Sequence, residues 1–292
     1  MKIGVKLVAV ISAFNVVGIA LLAGVTVSLS QKEISRLAEE EAKSLAVQGG
    51  KDIQTWFGVY IETSRALAHV MEGYKDIPPA QRRWYFNLML RQTRAAHPEV
   101  TAVYANWAPQ ALDGMDEVYA GTHGTDATGR YAPGWSAKPN GIDMEPIRTF
   151  PFDAVTRVTN GEEFVFEPTV LLIGGNSVLA ANMCVPVKDA GVMVGITGIS
   201  FEISRIQAIT EGIKPFGDGY AMVFSAGGLV AAHPDTERLG KDMRESEKDT
   251  FGGALEAAVG AVTAGKAAAF SAPSANGIMQ YYAVPFTIGR YP

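Results

Sequence analysis

The sequence has a single cysteine, Cys184, among 292 residues. This count excludes an internal disulfide and a cysteine-rich metal site. Charged residues make up only 19% of the chain, and the net charge is −5. Because no excess of basic residues is present, we expect no nucleic-acid partner. The hydrophobic fraction of 48% is large enough for the chain to bury a core.

The sequence also lacks the short motifs that mark common enzymes and cofactor sites. None of its histidines forms a close pair with metal-ligand spacing. No nucleophile elbow of the form G-x-S-x-G and no phosphate-binding loop is present. Cys184 lies in a strand-like run, where an inert buried thiol is the ordinary outcome. The sequence therefore predicts no enzyme, no metal and no cofactor.

The N-terminal region contains one long uncharged run, residues 7–30. As a helix rising 1.5 Å per residue, it would be about 36 Å long, enough to cross a hydrocarbon core of about 30 Å. Lys2 and Lys6 precede the run, which favours a cytoplasmic N-terminus and an external position from residue 31 onward. The alternative is a cleaved secretory signal, but the run is longer than the usual apolar region of about 7–15 residues.

Apolar residues spaced by three and four continue from Ile34 to Met71, so the pattern predicts a long helix over 31–75. Two interpretations stay open, a packed domain helix and a dimer-forming stalk that transmits motion. Gly49-Gly50 is the expected weak point, because each glycine costs about 1 kcal/mol in a helix. Pro78-Pro79 ends this region, and a second amphipathic helix is expected over 80–96.

After residue 98 the character changes to short strand-like runs separated by turns. They lie at 100–107, 163–167, 170–173, 177–187 and 192–201, which is typical of an antiparallel meander. The Gly/Pro-rich stretch 109–151 is too punctuated for a helix. A second, smaller strand-rich unit begins near Pro215, and the chain halts at Pro292 in mid-pattern. We therefore expect an α+β fold and a chain truncated before its output region.

Several segments in this order resemble the double Cache family, the extracytoplasmic sensor domains of bacterial chemoreceptors and sensor kinases. Residues 126–136 (DATGRYAPGWS) are similar to the G-R-[FY]-x-P-Y-W stretch of many such receptors. Residues 166–169 (FEPT) and 195–200 (GITGIS) resemble two steps of the distal sheet. Residues 228–241 (GLVAAHPDTERLGK) resemble the hairpin of the membrane-proximal unit.

The resemblance implies two PAS-like antiparallel-sheet modules on one long N-terminal helix. The expected divisions are a cytoplasmic tip and transmembrane helix at 1–30 and a long helix at 31–75. A ligand-binding distal module at 76–212 and an incomplete proximal module at 213–292 follow. It further implies a methyl-accepting chemotaxis protein in the bacterial inner membrane, with residues from about 31 onward outside. Its implied partners are a small organic ligand, a second copy in a homodimer, and cytoplasmic signalling proteins reached through a missing C-terminal region.

Two alternatives to a chemoreceptor remain open. A histidine kinase or diguanylate cyclase could carry the same sensor region, and the deciding cytoplasmic part is absent from the sequence. An anchored periplasmic enzyme or adhesive module is the third hypothesis. A convergent acid–base cluster in the distal cleft would favour such an enzyme.

The candidate pocket residues are aromatic or polar, as a small polar ligand requires. Arg130 is the candidate for binding an anion, with a structural role that ties the long loop to the sheet as its alternative. Tyr131 and Trp135 would wall the pocket. Tyr104 and Trp107 stand three apart on one strand, so they face opposite sides and one of them faces the pocket. The remaining candidates are Tyr119, Asn182 and Ser200.

Ser200 stands where the amino-acid-binding members of the family carry an aspartate. A serine can form a hydrogen bond but offers no charge to hold an ammonium group. By this resemblance, an α-amino acid is a doubtful ligand for the chain. The identity of the solute is not predicted.

Overall fold

A computed structural model describes residues 2–138, 140–146, 160–173, 176–274 and 277–288, with side chains described except at 2–29 and 172–177. Helix α1 runs from Lys2 to Glu72 (71 residues). In the part of the chain whose side chains are described, no helix is long and apolar enough to cross a membrane. The predicted span, residues 7–30, lies outside that part except for its last residue.

The second half of α1 packs against the rest of the protein through one apolar stripe. Its buried residues recur at spacings of three and four, as the sequence pattern predicts. They are Ile53, Phe57, Tyr60, Ile61, Leu67, Ala68 and Met71.

The helix continues through Gly49-Gly50 without interruption. A Cβ atom at Gly49 would lie 2.3 Å from Cδ1 of Ile213, and one at Gly50 would lie 3.4 Å from Phe286. These glycines therefore make room for close packing.

A 3-10 turn, Gly73–Asp76, leads from α1 to α2, which runs from Pro79 to Ala96. Proline at the first position suits a helix start, because the N–H that proline lacks would have no intrahelical partner at that position. The inner face of α2 buries two apolar side chains between two basic ones. They are Arg83, Phe86, Leu90 and Arg94.

The centre of the fold is a six-stranded antiparallel sheet in the order β3-β2-β1-β6-β5-β4. Its strands are β1 (Ala102–Trp107), β2 (Pro133–Lys138), β3 (Gly141–Pro146), β4 (Phe164–Ile173), β5 (Asn176–Asp189) and β6 (Val192–Glu202). Strands β2 and β3 arise within the Gly/Pro-rich stretch that the sequence pattern left irregular. The two runs predicted at 163–167 and 170–173 form one strand with a register shift between Phe166 and Thr169.

Smaller elements follow the sheet. Helix α3 (Ser204–Glu211) leads to a two-stranded hairpin of β7 (Val223–Phe224) and β8 (Val230–Ala232). Next come α4 (Met243–Ser246), α5 (Lys248–Phe251), α6 (Leu255–Thr263) and the pair β9 (Ala268–Ser274) and β10 (Gly277–Ala283). The predicted α+β class is confirmed, with its long N-terminal helix and antiparallel sheet. The division into two Cache modules stays a prediction, and residues 289–292 lie outside the described chain.

Candidate functional site

The two faces of the six-stranded sheet differ in chemistry. Side chains alternate along each strand, so Tyr104 and Trp107 point to opposite faces, as their spacing predicts. Trp107 belongs to the large core shared with α1 and α2, which defines the helix face. Tyr104 packs in a separate small cluster with Cys184 and Ile196 on the other side, here named the polar face.

The polar face carries one row of neighbours across the middle strands. The register places Ser136 of β2 beside Ala102 of β1, Ala102 beside Ser200 of β6, and Ser200 beside Asn182 of β5. Phe166 of β4 is the next partner of Asn182. Ser136, Asn182 and Ser200 are all buried. Two of the predicted site residues, Asn182 and Ser200, are therefore direct neighbours.

Asn182 has an unsatisfied buried donor. The Ser200 hydroxyl donates a hydrogen bond to Oδ1 of Asn182, whereas Nδ2 of Asn182 is buried with no partner. Leaving such a donor unpaired costs about 1–3 kcal/mol. Asn182 therefore has an N–H available to a hydrogen-bond acceptor.

Tyr104 lies on the same face of the sheet, on strand β1. Its hydroxyl donates to the carbonyl oxygen of Met183 at 2.8 Å. Gly198 makes this possible, because a Cβ there would lie 1.9 Å from that oxygen and 2.8 Å from the Tyr104 hydroxyl. Burial raises the pKa of Tyr104, and it raises the pKa of the Cys184 thiol to about 12. Both groups are therefore neutral at physiological pH.

Three of the predicted aromatic residues lie on the helix face. Trp107 stacks on Phe86 with ring centroids 6.0 Å apart. Tyr131 is buried and donates its hydroxyl hydrogen to Oδ1 of Asn87 on α2 at 3.0 Å. Trp135 pairs with Val103 in the sheet and packs against the same core. The sheet thus separates Trp107, Tyr131 and Trp135 from Tyr104, Asn182 and Ser200, and the predicted set does not form one pocket.

The side chain of Arg130 forms an ion pair with a residue of its own loop. Its Nε donates to Oδ2 of Asp126 at 2.9 Å, and its backbone N–H donates to Oδ1 of the same residue. This ion pair lies within the loop itself, so it is not the tie between the long loop and the sheet that was the structural alternative. A direct contact of Arg130 with ligand stays a prediction that would need this ion pair to open.

A buried arginine that sequence reasoning missed fixes the long loop to α2. Arg83 donates to Asp113 at 2.6 Å, to Asp116 at 2.8 Å and to the Gly129 carbonyl at 2.8 Å. The Tyr119 ring lies 4.1 Å from its guanidinium, which places this predicted site residue in the same network. Gly129 has φ of +83°, and a Cβ there would lie 1.7 Å from the Asp116 carbonyl oxygen. The sequence signal for a buried Arg83 is its helical spacing with Phe86 and Leu90, which places it on the apolar face of α2.

A concave region lies between α1 and the elements after the sheet, with a volume of about 1340 Å³. Aromatic and small side chains dominate its walls, with Gly49 and Gly50 on one side and Phe224 and Tyr281 on the other. Its volume exceeds the roughly 300–1,000 Å³ typical of small-molecule sites. The polar face is the better candidate, because its unpaired amide N–H lies beside a buried hydroxyl, whereas the unpaired indole N–H groups of Trp107 and Trp135 belong to the main core. Within the described ranges, no group of three or more His, Cys, Asp or Glu residues could hold a metal ion.

The chain is similar to one curated protein and to several solved structures. It is 27% identical over 188 residues to the methyl-accepting chemotaxis protein TlpQ of Pseudomonas aeruginosa, covering 57% of this chain and 26% of TlpQ. The chain thus matches about a quarter of the length of that relative. No family model matches the sequence.

Among solved structures, the extracellular domain of mmHK1S-Z2, named as a histidine kinase, has a TM-score of 0.74 and 21% identity. The similarity covers 85% of this chain and 92% of that one. The ligand-binding domain of the Pseudomonas aeruginosa amino acid chemoreceptor PctC, solved in complex with GABA, has a TM-score of 0.53 and 17% identity. That similarity covers 86% of this chain and 92% of that one.

These findings confirm the predicted resemblance to the extracytoplasmic sensor domains of chemoreceptors and sensor kinases. The prediction that this region is not an enzyme is also confirmed, because the relatives are receptors and sensor domains. At these identities the solved structures establish a shared fold alone.

Proposed function

We propose that the chain is the sensor region of a transmembrane chemoreceptor and that it binds a small organic solute on the polar face of its six-stranded sheet. The observation that carries the proposal is the unpaired, buried Nδ2 of Asn182 beside Ser200. The similarity to TlpQ and to the PctC ligand-binding domain supports a receptor role. In this proposal the polar face belongs to a membrane-distal module over 76–212.

The ligand is expected to present an oxygen acceptor to Asn182. A carboxylate or amide oxygen would satisfy the free N–H, and the neutral hydroxyl of Ser200 would line the same wall. GABA, the ligand of the PctC structure, carries a carboxylate and supports this class. Without a charged group at Ser200, the ammonium end of such a ligand would need another partner.

The signal would reach α1 through β4, which borders the polar face. Glu163 immediately precedes β4, and Arg65 of α1 donates two hydrogen bonds to it at 2.7 and 2.6 Å. A ligand that binds one arrangement of β4 better than another would shift the population of both elements. This ion pair would therefore couple the site to the helix that we propose enters the inner membrane, with residues from about 31 onward outside.

A homodimer is part of the same proposal. The outer side of α1 exposes apolar residues that its own chain leaves uncovered, and a second copy would cover them. They are Ile34, Leu37, Val47, Val59 and Val70.

A histidine kinase or diguanylate cyclase sensor is the second candidate function. The fold similarity to the extracellular domain of mmHK1S-Z2 favours the kinase. The coding sequence after Pro292 distinguishes the outputs, because a Glu/Ala/Gln-rich coiled coil indicates a chemoreceptor and a catalytic domain indicates the alternatives.

A thermal unfolding screen of the full chain in detergent micelles tests the binding proposal. Single amino acids, amines including GABA, organic acids and purines are added separately, and a ligand should raise the melting temperature by mass action. Asn182→Leu should abolish that rise, because leucine fills a similar volume without the N–H. Asn87→Leu, on the helix face, is the matched control and should keep it. An unchanged rise in Asn182→Leu would remove the polar face from the proposal.

A further inference from the structure

His233 stands where the elements after the sheet meet α3. Its backbone N–H donates to Oε1 of Gln207 at 2.9 Å, and Nε2 of Gln207 donates to the His233 carbonyl at 2.9 Å. Both residues are buried. This reciprocal pair joins the end of β8 to the helix that follows the six-stranded sheet.

The contacts of the His233 ring favour one tautomer. Nδ1 accepts a hydrogen bond from the Asp235 backbone N–H at 2.8 Å, so a neutral ring carries its hydrogen on Nε2. Nε2 lies 3.5 Å from Oε2 of Glu247, which is too long for a hydrogen bond. The Asp235 carbonyl oxygen lies 3.1 Å from Nδ1. The single atom Nδ1 therefore faces both a donor and an acceptor of one peptide segment.

Glu247 is a fully buried carboxylate next to this ring. Burial alone would raise its pKa, but the nearby polar side chains of His233 and Thr250 and the charges of His233 and Arg238 outweigh burial and lower the pKa to about 2. Arg238 donates to Oε2 at 2.8 Å, the oxygen nearest His233. The carboxylate is thus ionised at physiological pH.

Other titratable groups surround the ring from each neighbouring element. They are Asp235 and Arg238 after β8, Glu247 between α4 and α5, Glu211 on α3 through Gln207, Tyr220 with its ring 6.5 Å away, and Tyr281 through the Tyr220 hydroxyl.

We propose that His233 is a pH-sensitive latch between α3 and the β7–β8 hairpin. A proton taken up by the neutral ring binds to Nδ1, because Nε2 already carries one. Protonated Nδ1 can no longer accept from the Asp235 N–H and must turn to the Asp235 carbonyl, while the positive ring is drawn toward Glu247. The turn after β8 then rearranges, and the backbone of His233 changes its pairing with Gln207.

Nuclear magnetic resonance of the full chain in detergent micelles tests the latch. With ¹⁵N-labelled histidine, aspartate and glutamine, the ring nitrogen shifts should show hydrogen on Nε2 at about pH 8. Between about pH 8 and pH 5, the Asp235 amide and the Gln207 side-chain amide should shift with the same midpoint as the His233 ring. His233→Gln should abolish both shifts, whereas His123→Gln at an exposed position should keep them.

Three results would overturn the latch. The first is hydrogen on Nδ1 at high pH, which the wild-type protein alone reveals even if His233→Gln does not fold. The second is an Asp235 amide whose chemical shift does not change while the ring shifts do. The third is an unchanged titration of both amides in His233→Gln, which would assign it to carboxylates instead.

Discussion

The two faces of the six-stranded sheet use the same packing device for different ends. On the helix face the Trp107 ring lies over Gly195, where a Cβ would come within 3.0 Å of the indole, and on the polar face the Tyr104 ring lies over Gly198. Trp107 then meets the aromatic rings of Phe86 and Tyr74. Tyr104 instead shares its face with a thiol, hydroxyls and an amide. One face therefore holds the main core, and the other carries the polar groups that we propose bind the ligand.

The largest expected effect is on the helix face. Trp107→Ala removes a fully buried ring from the main core and should lower the free energy of unfolding by about 3–5 kcal/mol. Urea unfolding followed by circular dichroism measures it. Trp84→Ala is the matched control, because Trp84 is 62% exposed and its loss should change stability by less than about 0.5 kcal/mol. Equal losses in both variants would contradict the assignment of the core.

A smaller effect is expected on the polar face. Tyr104→Phe keeps the ring over Gly198 and deletes only the hydrogen bond to the Met183 carbonyl, so it should cost about 1 kcal/mol. The same urea titration measures the loss. A cost as large as that of Trp107→Ala would show that the polar face holds the fold as strongly as the helix face does.

The smallest effect on stability is expected where binding is proposed. The double variant Asn182→Leu/Ser200→Ala removes an unpaired donor together with its hydroxyl neighbour, so its stability should match or exceed that of the wild type. Asn87→Leu should instead destabilise the protein by about 1–3 kcal/mol, since it leaves the buried Tyr131 hydroxyl without its acceptor. If the double variant loses more stability than Asn87→Leu, the polar groups of the polar face contribute to folding stability, contrary to the contrast drawn between the two faces.

The sequence predicts the regular elements well where the pattern is periodic. The α1 stripe and α2 follow from spacings of three and four, and the strand around 100–107 follows from its run of β-branched and aromatic residues. Strands β2 and β3 were missed because glycine, proline and charged residues interrupt their alternation. β2 pairs with β1 and with β3, and this pairing satisfies the backbone hydrogen bonds of these strands. The local sequence does not show which strands will pair.

The candidate site was predictable only in part. The opposite orientation of Tyr104 and Trp107 follows from their spacing, and Asn182 and Ser200 were identified although their contact depends on the β5–β6 register. Tyr131 and Trp135 were grouped with them because they lie in one motif, and no local pattern says which face a loop-borne strand presents. The Arg83 network was missed because three of its partners lie 30 to 46 residues away.

The continuous attachment of α1 has a mechanical consequence. Gly49-Gly50 packs against Ile213 and Phe286, Arg65 is tied to Glu163 about four turns farther along the helix, and the buried stripe lies between them. A rod held along its length moves as one body instead of pivoting about one point. Under the proposed coupling, a displacement at β4 would reach the N-terminal part of α1 with its direction kept.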